Sequence, residues 1–507
     1  MSVAHRVRYI IVGLSGFLAL GQSSAQLTDS ARPETRLSAA DLHQDFLILE
    51  RIYKELHPGL YRYNTPPQMA AHFADLDRRL SRDQTLASAY LAVSQFLALI
   101  KCGHTHANFF NQSDAVVAEL FERGGRVPFY FRWIDRRMIV TKNFSGDARL
   151  TPGTEVLTID GTPAATVLDS LLTISRADGS NDYKRLSNLE VQGFDKWEMF
   201  DIYRSLFFPG REDSVRFRVR SLAGKEATFA AKALTQRERE SLAPKSATET
   251  KTDAALFESR YLDARSAYLR MPTWATYDSK WDWRRYLNGF LDTLVMRGAD
   301  RLVIDLRGNE GGEDVGDVIL HRLIDRDLPL AQYRRFVRYR SVPADLNPYL
   351  DTWDKSFRDW GSAAQDPKNA DGFYRLTKWD DDSTGAVVHP SGKRFRGRVF
   401  VLVDGSNSSA TFQFASAVQQ AGLGQLVGEP TGGNRRGING SAFFFVRLPR
   451  SHIEVDLPLV AEFPTSPQPD AGLVPDVRVR YTAADIANGV DRTLQAALSV
   501  TTKRPAN

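Results

Sequence analysis

The stretch GRVFVLVDGSNSSATFQFA at residues 397–415 decides the fold class. It has the pattern of a buried apolar strand that ends in a serine-rich turn and continues into a helix over 410–421. A second strand, RLVIDLRGN at 301–309, ends in a glycine turn and leads into a helix near 315–323. A third strand lies in GQLVGEPTGG at 424–433. Strands that alternate with helices in this way predict an α/β domain built on a parallel sheet.

The α/β pattern around these strands extends over residues 256–495. It contains an aromatic, charged and irregular segment at 331–395, which we interpret as an insertion that overhangs a site. Upstream, 37–118 has the period of amphipathic helices, and 120–235 is rich in alternating strands and tight turns. The polar stretch 236–254 reads as a linker. We therefore predict three domains, the number that 507 residues suggest at about 150 residues each.

The N-terminus has the pattern of a signal peptide over residues 1–25. Arg6 and Arg8 precede an apolar run over 9–20, and small residues then lead to a cleavage site after Ala25. The apolar run is too short to span a bilayer. We expect an exported protein, periplasmic or secreted, that is not an integral membrane protein after cleavage.

Composition excludes several classes of protein. The 66 basic and 61 acidic residues are mixed along the chain and leave a net charge of +5. Two of the arginines leave with the signal peptide, so nothing favours a nucleic-acid partner. A mean hydropathy of −0.34 excludes a polytopic membrane protein. The single cysteine, Cys102, excludes an internal disulfide and a thiolate zinc cluster.

Two strand ends could carry chemistry, because open α/β sheets bind ligands at the carboxyl ends of their strands. In VIDLRGNEGG, at 303–312, three glycines permit backbone conformations that point amides into a cleft. In the other turn, Ser406, Ser408 and Ser409 precede a helix, whose N-terminus favours a developing negative charge. Taken from the residues alone, these serines are equally consistent with simple helix capping.

Four motifs in order give a resemblance to a known family. LRGNEGG, SSA, LVGEPTGG and GLVPDVRV (472–479) follow one another as in the tail-specific, or C-terminal processing, serine peptidases. The resemblance implies an α/β catalytic domain with a strand–helix core of the ClpP/crotonase type. It also implies a PDZ-like module at 120–235, signalled by PGTEVLTIDG (152–161), and an N-terminal helical domain. HPGLYRY (57–63) and GHT (103–105) are similar to the exported bacterial branch of the family.

The resemblance also assigns roles. When Gly428 is matched to the glycine of the family's motif, the nucleophile falls on Ser409, with Ser408 as the nearest competitor. The backbone amides that would bind the oxyanion are those of Ala410 and of either Gly308 or Asn309.

The general base departs from the better-known members, which use a lysine about 25 residues after the serine. Asn434 stands at that position, and the only lysine between Ser409 and the C-terminus is Lys503. Arg435 and Arg436 cannot act as bases, because a guanidinium does not lose its proton in proteins. The serine therefore needs another base.

Histidine is the usual alternative base. In the tricorn-like branch the base is a histidine far upstream of the serine, and that position corresponds to His104. If 104–108 is a strand, His106 lies on the same side and is a competitor. An acidic residue shortly before the GLVPD segment would orient the imidazole; we prefer Asp470, with Glu462 as the alternative.

The sequence thus predicts an exported serine endopeptidase that acts on peptides or proteins through an acyl-enzyme, without a metal or an organic cofactor. The alternative is a catalytically inactive peptide- or lipophile-binding protein on the same fold, because fold alone does not guarantee activity. A metal site at His104 and His106 is disfavoured, since no acidic partner or HExxH helix accompanies the pair.

Overall fold

The protein is represented by a computed structural model that describes residues 34–242, 255–277, 279–330, 333–366, 372–379 and 387–500. The predicted signal peptide, residues 1–25, lies outside these ranges. Within them, no helix combines the length and the apolar character needed to cross a membrane.

A mostly parallel sheet forms the centre of the C-terminal half, as the strand–helix alternation predicts. Its strands, in spatial order, are Val477–Arg478, Gln425–Gly428, Arg398–Val403, Arg301–Asp305, Ser266–Arg270 and Glu258–Tyr261. Only the last pair is antiparallel. The register pairs Asp305 with Leu402 and Val403 with Gly428. The carboxyl ends of three strands therefore reach the same edge of the sheet.

Helices cover both faces of this sheet. Those on one face are Trp283–Met296, Gly316–Leu323 and Ser409–Gln420, and the helix Arg492–Ser499 covers the other. The strand Arg398–Val403 explains the arrangement, because alternate residues serve different cores. Val401 packs with the three helices, whereas Phe400 packs on the opposite side. A strand buried on both faces reads as a continuous apolar run.

A second, antiparallel sheet stands beside the parallel one. Its strands, in spatial order, are Leu350–Asp351, Asn439–Arg447, Glu454–Pro464, Tyr333–Val337, Tyr374–Leu376 and Ala364–Gln365. Four of these strands come from the segment 331–395, so the prediction of an irregular insertion is wrong for its described parts. The strands are two to five residues long. Strands this short show no readable alternation.

A further sheet with its helices forms a unit that we call the β-module, residues 129–242. Its strands are Phe129–Ile134, Arg137–Asn143, Glu155–Ile159, Thr162–Pro163, Ser214–Arg220 and Glu226–Lys232. Its helices are Ala164–Leu172, Asp182–Asn188, Met199–Phe207 and Gln236–Leu242. The first part of the predicted linker is therefore helical. Asp160 and Gly161 both have positive φ, as the predicted tight turn requires.

The N-terminal helices are Ala39–Leu56, Pro66–Leu80, Leu86–Leu99 and Asp114–Leu120. Each begins after a serine or threonine whose side chain accepts a hydrogen bond from the first turn. The strand expected over 104–108 does not form, because the chain turns at Cys102–Thr105 and again at Asn108–Asn111. One hydrophobic core joins these helices to the β-module and the antiparallel sheet.

A buried charge cluster fixes the β-module. The Asp201 carboxylate accepts hydrogen bonds from Arg126 (3.2 Å) and from Arg239, and the three side chains are almost fully enclosed. Burial raises the pKa of Asp201, but the two guanidiniums outweigh it and leave that pKa below its usual range. The carboxylate therefore stays charged, and two buried arginines share it as their counter-charge.

Replacing Asp201 by asparagine should destabilise the protein by about 3–5 kcal/mol, since two buried guanidiniums lose their counter-charge. Urea unfolding followed by circular dichroism measures this loss. The matched control is Asp213→Asn, in which an exposed carboxylate paired with Arg211 is neutralised and little change is expected. Equal unfolding midpoints for the two variants would contradict the assignment.

Candidate active site

A cleft of about 1930 Å³ lies where the carboxyl edge of the parallel sheet meets the antiparallel sheet and the β-module. Predicted site residues that line it are His104, His106, Gly308, Ser408, Ser409, Ala410 and Glu462. Asp470 and Asn309 are not among its lining residues. The cleft therefore brings together residues from four separate stretches of chain.

Ser409 is the first residue of the helix Ser409–Gln420 and has a φ of 52°. A serine in this left-handed region costs about 1–3 kcal/mol and persists only where its surroundings hold it. The side chain is partly exposed, and its hydroxyl makes no hydrogen bond to any described residue. Ser409 thus presents a free hydroxyl to the cleft from a strained turn.

Ser408, the competitor, is held in place by its neighbours. It is 9% exposed, and its hydroxyl lies 3.1 Å from the Glu310 carbonyl oxygen, to which it donates. Its oxygen also accepts a hydrogen bond from Lys184 (3.3 Å). Both serines line the cleft, and they differ in that the Ser408 hydroxyl is hydrogen-bonded to its neighbours.

The two strand-end turns are tied together by buried side chains. Asn407 donates from its side-chain amide to the carbonyl oxygens of Leu306 and Asn309, the latter at 3.0 Å. Thr411 donates its hydroxyl to Asn309 as well, at 3.0 Å. These bonds bring the glycine turn against the start of the serine helix.

The two amides predicted for oxyanion binding in the glycine turn are already used. The Gly308 amide donates to the Asp404 carboxylate at 3.0 Å, and the Asn309 amide donates to the Leu306 carbonyl at 3.0 Å. The prediction for Gly308 rests on the family's motif, and a motif does not reveal that the Gly308 amide donates to Asp404.

The glycine that packs against Ser409 is Gly311. A Cβ atom added there would lie 2.9 Å from Ser409 Cβ and 3.0 Å from the Ala410 nitrogen, and its φ is 105°. Only glycine fits such a contact. Ala410 is the second residue of its helix, so its amide has no acceptor within the helix. The Gly311 amide donates to the Asn309 side chain (2.9 Å), so Ala410 supplies the amide beside Ser409 that is left without an intrahelical acceptor.

His104 lines the cleft, packs against Phe443 and has a buried Nδ1 atom without a hydrogen-bond partner among the described residues. Burial lowers its pKa; the charges of Arg176 and Lys184 lower it further, while Asp178 and Glu310 oppose them. The imidazole is therefore neutral at neutral pH, as a general base must be.

His106 also lines the cleft, although the strand expected to align it with His104 is missing. Its Nδ1 lies 3.9 Å from the carboxylate of Asp456. Burial lowers the pKa of His106 well below its ordinary value and raises that of Asp456 to about 7. Among the described residues, no three His, Cys, Asp or Glu side chains are grouped to hold a metal ion.

His57 explains why the HPGLYRY and GHT motifs occur together. It accepts a hydrogen bond from the Gly59 amide at Nδ1 (3.0 Å), so Nε2 carries the proton and donates to Thr105 (2.8 Å). Burial lowers the pKa of His57 to about 3. It is a neutral support for the residue between His104 and His106.

The predicted acidic residues occupy different places. Glu462 lines the cleft, where it accepts hydrogen bonds from Arg335 (3.2 Å) and Gln413 (3.4 Å). Asp470 accepts hydrogen bonds from the Ser180 amide (3.1 Å) and from Asn434 (2.7 Å). No hydrogen bond between either carboxylate and a histidine is found in the described part of the chain.

Two residues of the site were missed at the sequence level. Asp178 accepts a hydrogen bond from the Gly103 amide (2.9 Å), and its charge acts on His104. Lys184 is 3% exposed, and its ammonium donates to Glu310 at 2.7 Å and to the Ser406 carbonyl at 3.0 Å. Both come from the β-module, which precedes Ser409 in the chain, whereas the lysine of the better-known members follows their serine.

Comparison with known proteins now identifies the domain. The family described as peptidase family S41 matches residues 265–443, which include both strand-end turns and Ser409. The chain carries a peptidase family S41 domain. It is accordingly a serine-type peptidase, as the four motifs predict. No curated protein matches its sequence.

Solved structures extend the likeness of this S41 peptidase beyond the matched domain. Mature CPAF complexed with lactacystin is 14% identical with a TM-score of 0.61, covering 90% of this chain and 97% of that one. A serine-to-alanine mutant of CPAF is 14% identical with a TM-score of 0.59, covering 92% and 99%. At these identities the likeness shows that the fold is shared over nearly the whole chain.

Replacing Gly311 by alanine in this S41 peptidase should abolish activity without unfolding the protein, because the added Cβ would displace Ser409. Peptide hydrolysis and thermal melting measure the two effects. The matched control is Gly422→Ala, a glycine with a φ of 62° and open space around it, which should lower stability and leave activity intact. Full activity in Gly311→Ala would show that this contact does not position the nucleophile.

Proposed function

We propose that this protein is an exported serine endopeptidase in which Ser409 is the nucleophile and His104 is the general base. One observation carries the proposal: Ser409 is held in a left-handed conformation and lines the same cleft as His104. A strained serine at the start of a helix is the arrangement that nucleophilic acyl transfer uses.

In the proposed reaction, His104 takes the proton of the Ser409 hydroxyl while the Ser409 oxygen attacks the carbonyl carbon of a peptide bond. The Ala410 amide, which has no acceptor within its own helix, stabilises the oxyanion that forms. The intermediate collapses when the C–N bond breaks and His104 gives its proton to the leaving amine. Water, deprotonated by His104, then attacks the acyl-enzyme and releases the acid product and the free serine.

We propose Asp178 as the carboxylate that supports His104, in place of Asp470. Asp178 is held by the amide of Gly103, the residue before the histidine, and its charge favours the imidazolium formed during the reaction. Asp470 acts one step further away: Asn434 donates to both its carboxylate (2.7 Å) and the Asp178 carbonyl (3.0 Å). Asn434, which stands where the better-known members of the family have their lysine, thus links Asp470 to the backbone of Asp178.

The cellular setting and the substrate are inferred from the sequence pattern. The signal-peptide pattern over residues 1–25 supports export to the periplasm or beyond. The β-module has the strand, Asp-Gly turn and helix that suggested a PDZ-like unit. Such units bind an extended peptide as an added strand. A peptide or an unfolded protein segment is the substrate that we propose.

Ser409→Ala should abolish labelling by a fluorophosphonate probe, whereas Ser408→Ala should keep it at a reduced rate. The reason is that the Ser409 hydroxyl makes no hydrogen bond to the described residues, whereas the Ser408 hydroxyl donates to the Glu310 carbonyl. Labelling is read by gel fluorescence on the full chain, with thermal melting of each variant as the control for folding. Loss of labelling in Ser408→Ala alone would move the nucleophile by one residue. Absence of serine-dependent labelling in the wild type would favour the binding-protein alternative.

The pH dependence of kcat/KM should show an acid limb with its midpoint below 6.5, the ordinary pKa of histidine. Burial and two nearby cations lower the pKa of His104, so the base stays deprotonated and active to lower pH, and activity falls as pH drops through that pKa. His104→Gln should remove the limb together with most of the activity, and His106→Gln should keep both. A midpoint clearly above 7 would contradict the assignment.

A further inference from the structure

Residues 181–187 of the β-module lie directly on the turn that carries the nucleophile, and we call this segment the strap. Asn181 donates from its side-chain amide to the carbonyl oxygens of Thr431 and Gly433, both at 2.8 Å. Ser187 shares a hydrogen bond with the Ser406 hydroxyl (2.7 Å). The strap thus binds two loops of the S41 domain, one of which contains the catalytic serine.

Lys184 is at the centre of the strap. Its ammonium has three partners: the Glu310 carboxylate at 2.7 Å, the Ser406 carbonyl at 3.0 Å and the Ser408 hydroxyl at 3.3 Å. An ammonium has three donor hydrogens and no acceptor, and here each hydrogen has a partner. Lys184 therefore ties three neighbours together through its nitrogen, and its bond to a serine hydroxyl is to that of Ser408.

We propose that Lys184 is a positioning residue, delivered by the β-module, that holds Ser409 in its reactive conformation. This inference rests on the proposed function of Ser409. The left-handed backbone of Ser409 needs neighbours that hold it, and Lys184 fixes the residue before it by bonding Ser406 and Ser408 together. Glu310, from the glycine turn, forms an ion pair with Lys184. We call this pair, together with the bonds from Lys184 to Ser406 and Ser408, the clamp.

The charges of the clamp have a second, separable effect on the base. His104 is surrounded by the charges of Asp178, Arg176, Lys184 and Glu310, and His106 faces it as well. Lys184 lowers the pKa of His104 and Glu310 raises it. Removing the lysine charge should therefore move the acid limb of kcat/KM to higher pH, and removing the glutamate charge should move it to lower pH.

The test compares Lys184→Met, Lys184→Arg and Glu310→Gln in the full chain. The matched control is Lys225→Met, which removes an exposed lysine from a turn of the same module. Lys184→Met should slow fluorophosphonate labelling and kcat about 100-fold, the effect of misplacing a catalytic group by about 1 Å, with KM nearly unchanged. Lys184→Arg keeps the charge but changes the donor geometry, so it should be slow while its acid limb stays in place.

Hydrogen exchange of the backbone amides over 404–410 provides a readout that does not depend on activity. Exchange there should be faster in Lys184→Met than in the wild type and unchanged in Lys225→Met. Wild-type labelling rates in Lys184→Met, or a slowed variant with unchanged exchange and an unmoved acid limb, would overturn the proposal. If the wild type shows no Ser409-dependent labelling, the proposed function fails, and the exchange experiment still decides whether the strap holds this turn.

Discussion

The strained backbone of Ser409 is the constraint on which the site depends. A residue with positive φ at the start of a helix returns to an ordinary conformation unless its surroundings prevent it. Here the surroundings are the Gly311 backbone on one side and the Asn407 cross-links on the other. The parallel sheet supplies both turns at one edge, so the register of its strands sets the position of Ser409.

The site also depends on parts of the chain outside the S41 domain. The N-terminal segment contributes His104. The next residue, Thr105, is hydrogen-bonded to the buried His57. The β-module contributes Asp178 and Lys184. Because the N-terminal helices, the β-module and the antiparallel sheet share one hydrophobic core, the positions of these side chains are set by packing and not by flexible linkers.

The sequence predicts those strands and turns whose residues follow a recognisable local pattern. The strand Arg398–Val403 is apolar along its length because both faces are buried, and the turn after it contains the motif that singles out Ser409. The antiparallel sheet was not predictable, since Tyr333–Val337 is short and its partner strand is more than 100 residues away. Lys184 lies in a short polar helix that resembles any surface helix, and only its tertiary contacts reveal its place in the site.

The separation of these groups along the chain has a consequence for biosynthesis. Lys184 and Ser408 are 224 positions apart, and His104 is farther still from the serine. Contacts between such distant residues require closure of a long loop, and they form late in folding. An incompletely synthesised or unfolded polypeptide has not yet brought these groups together. The cleft with its complete set of side chains therefore exists only once the whole fold has formed.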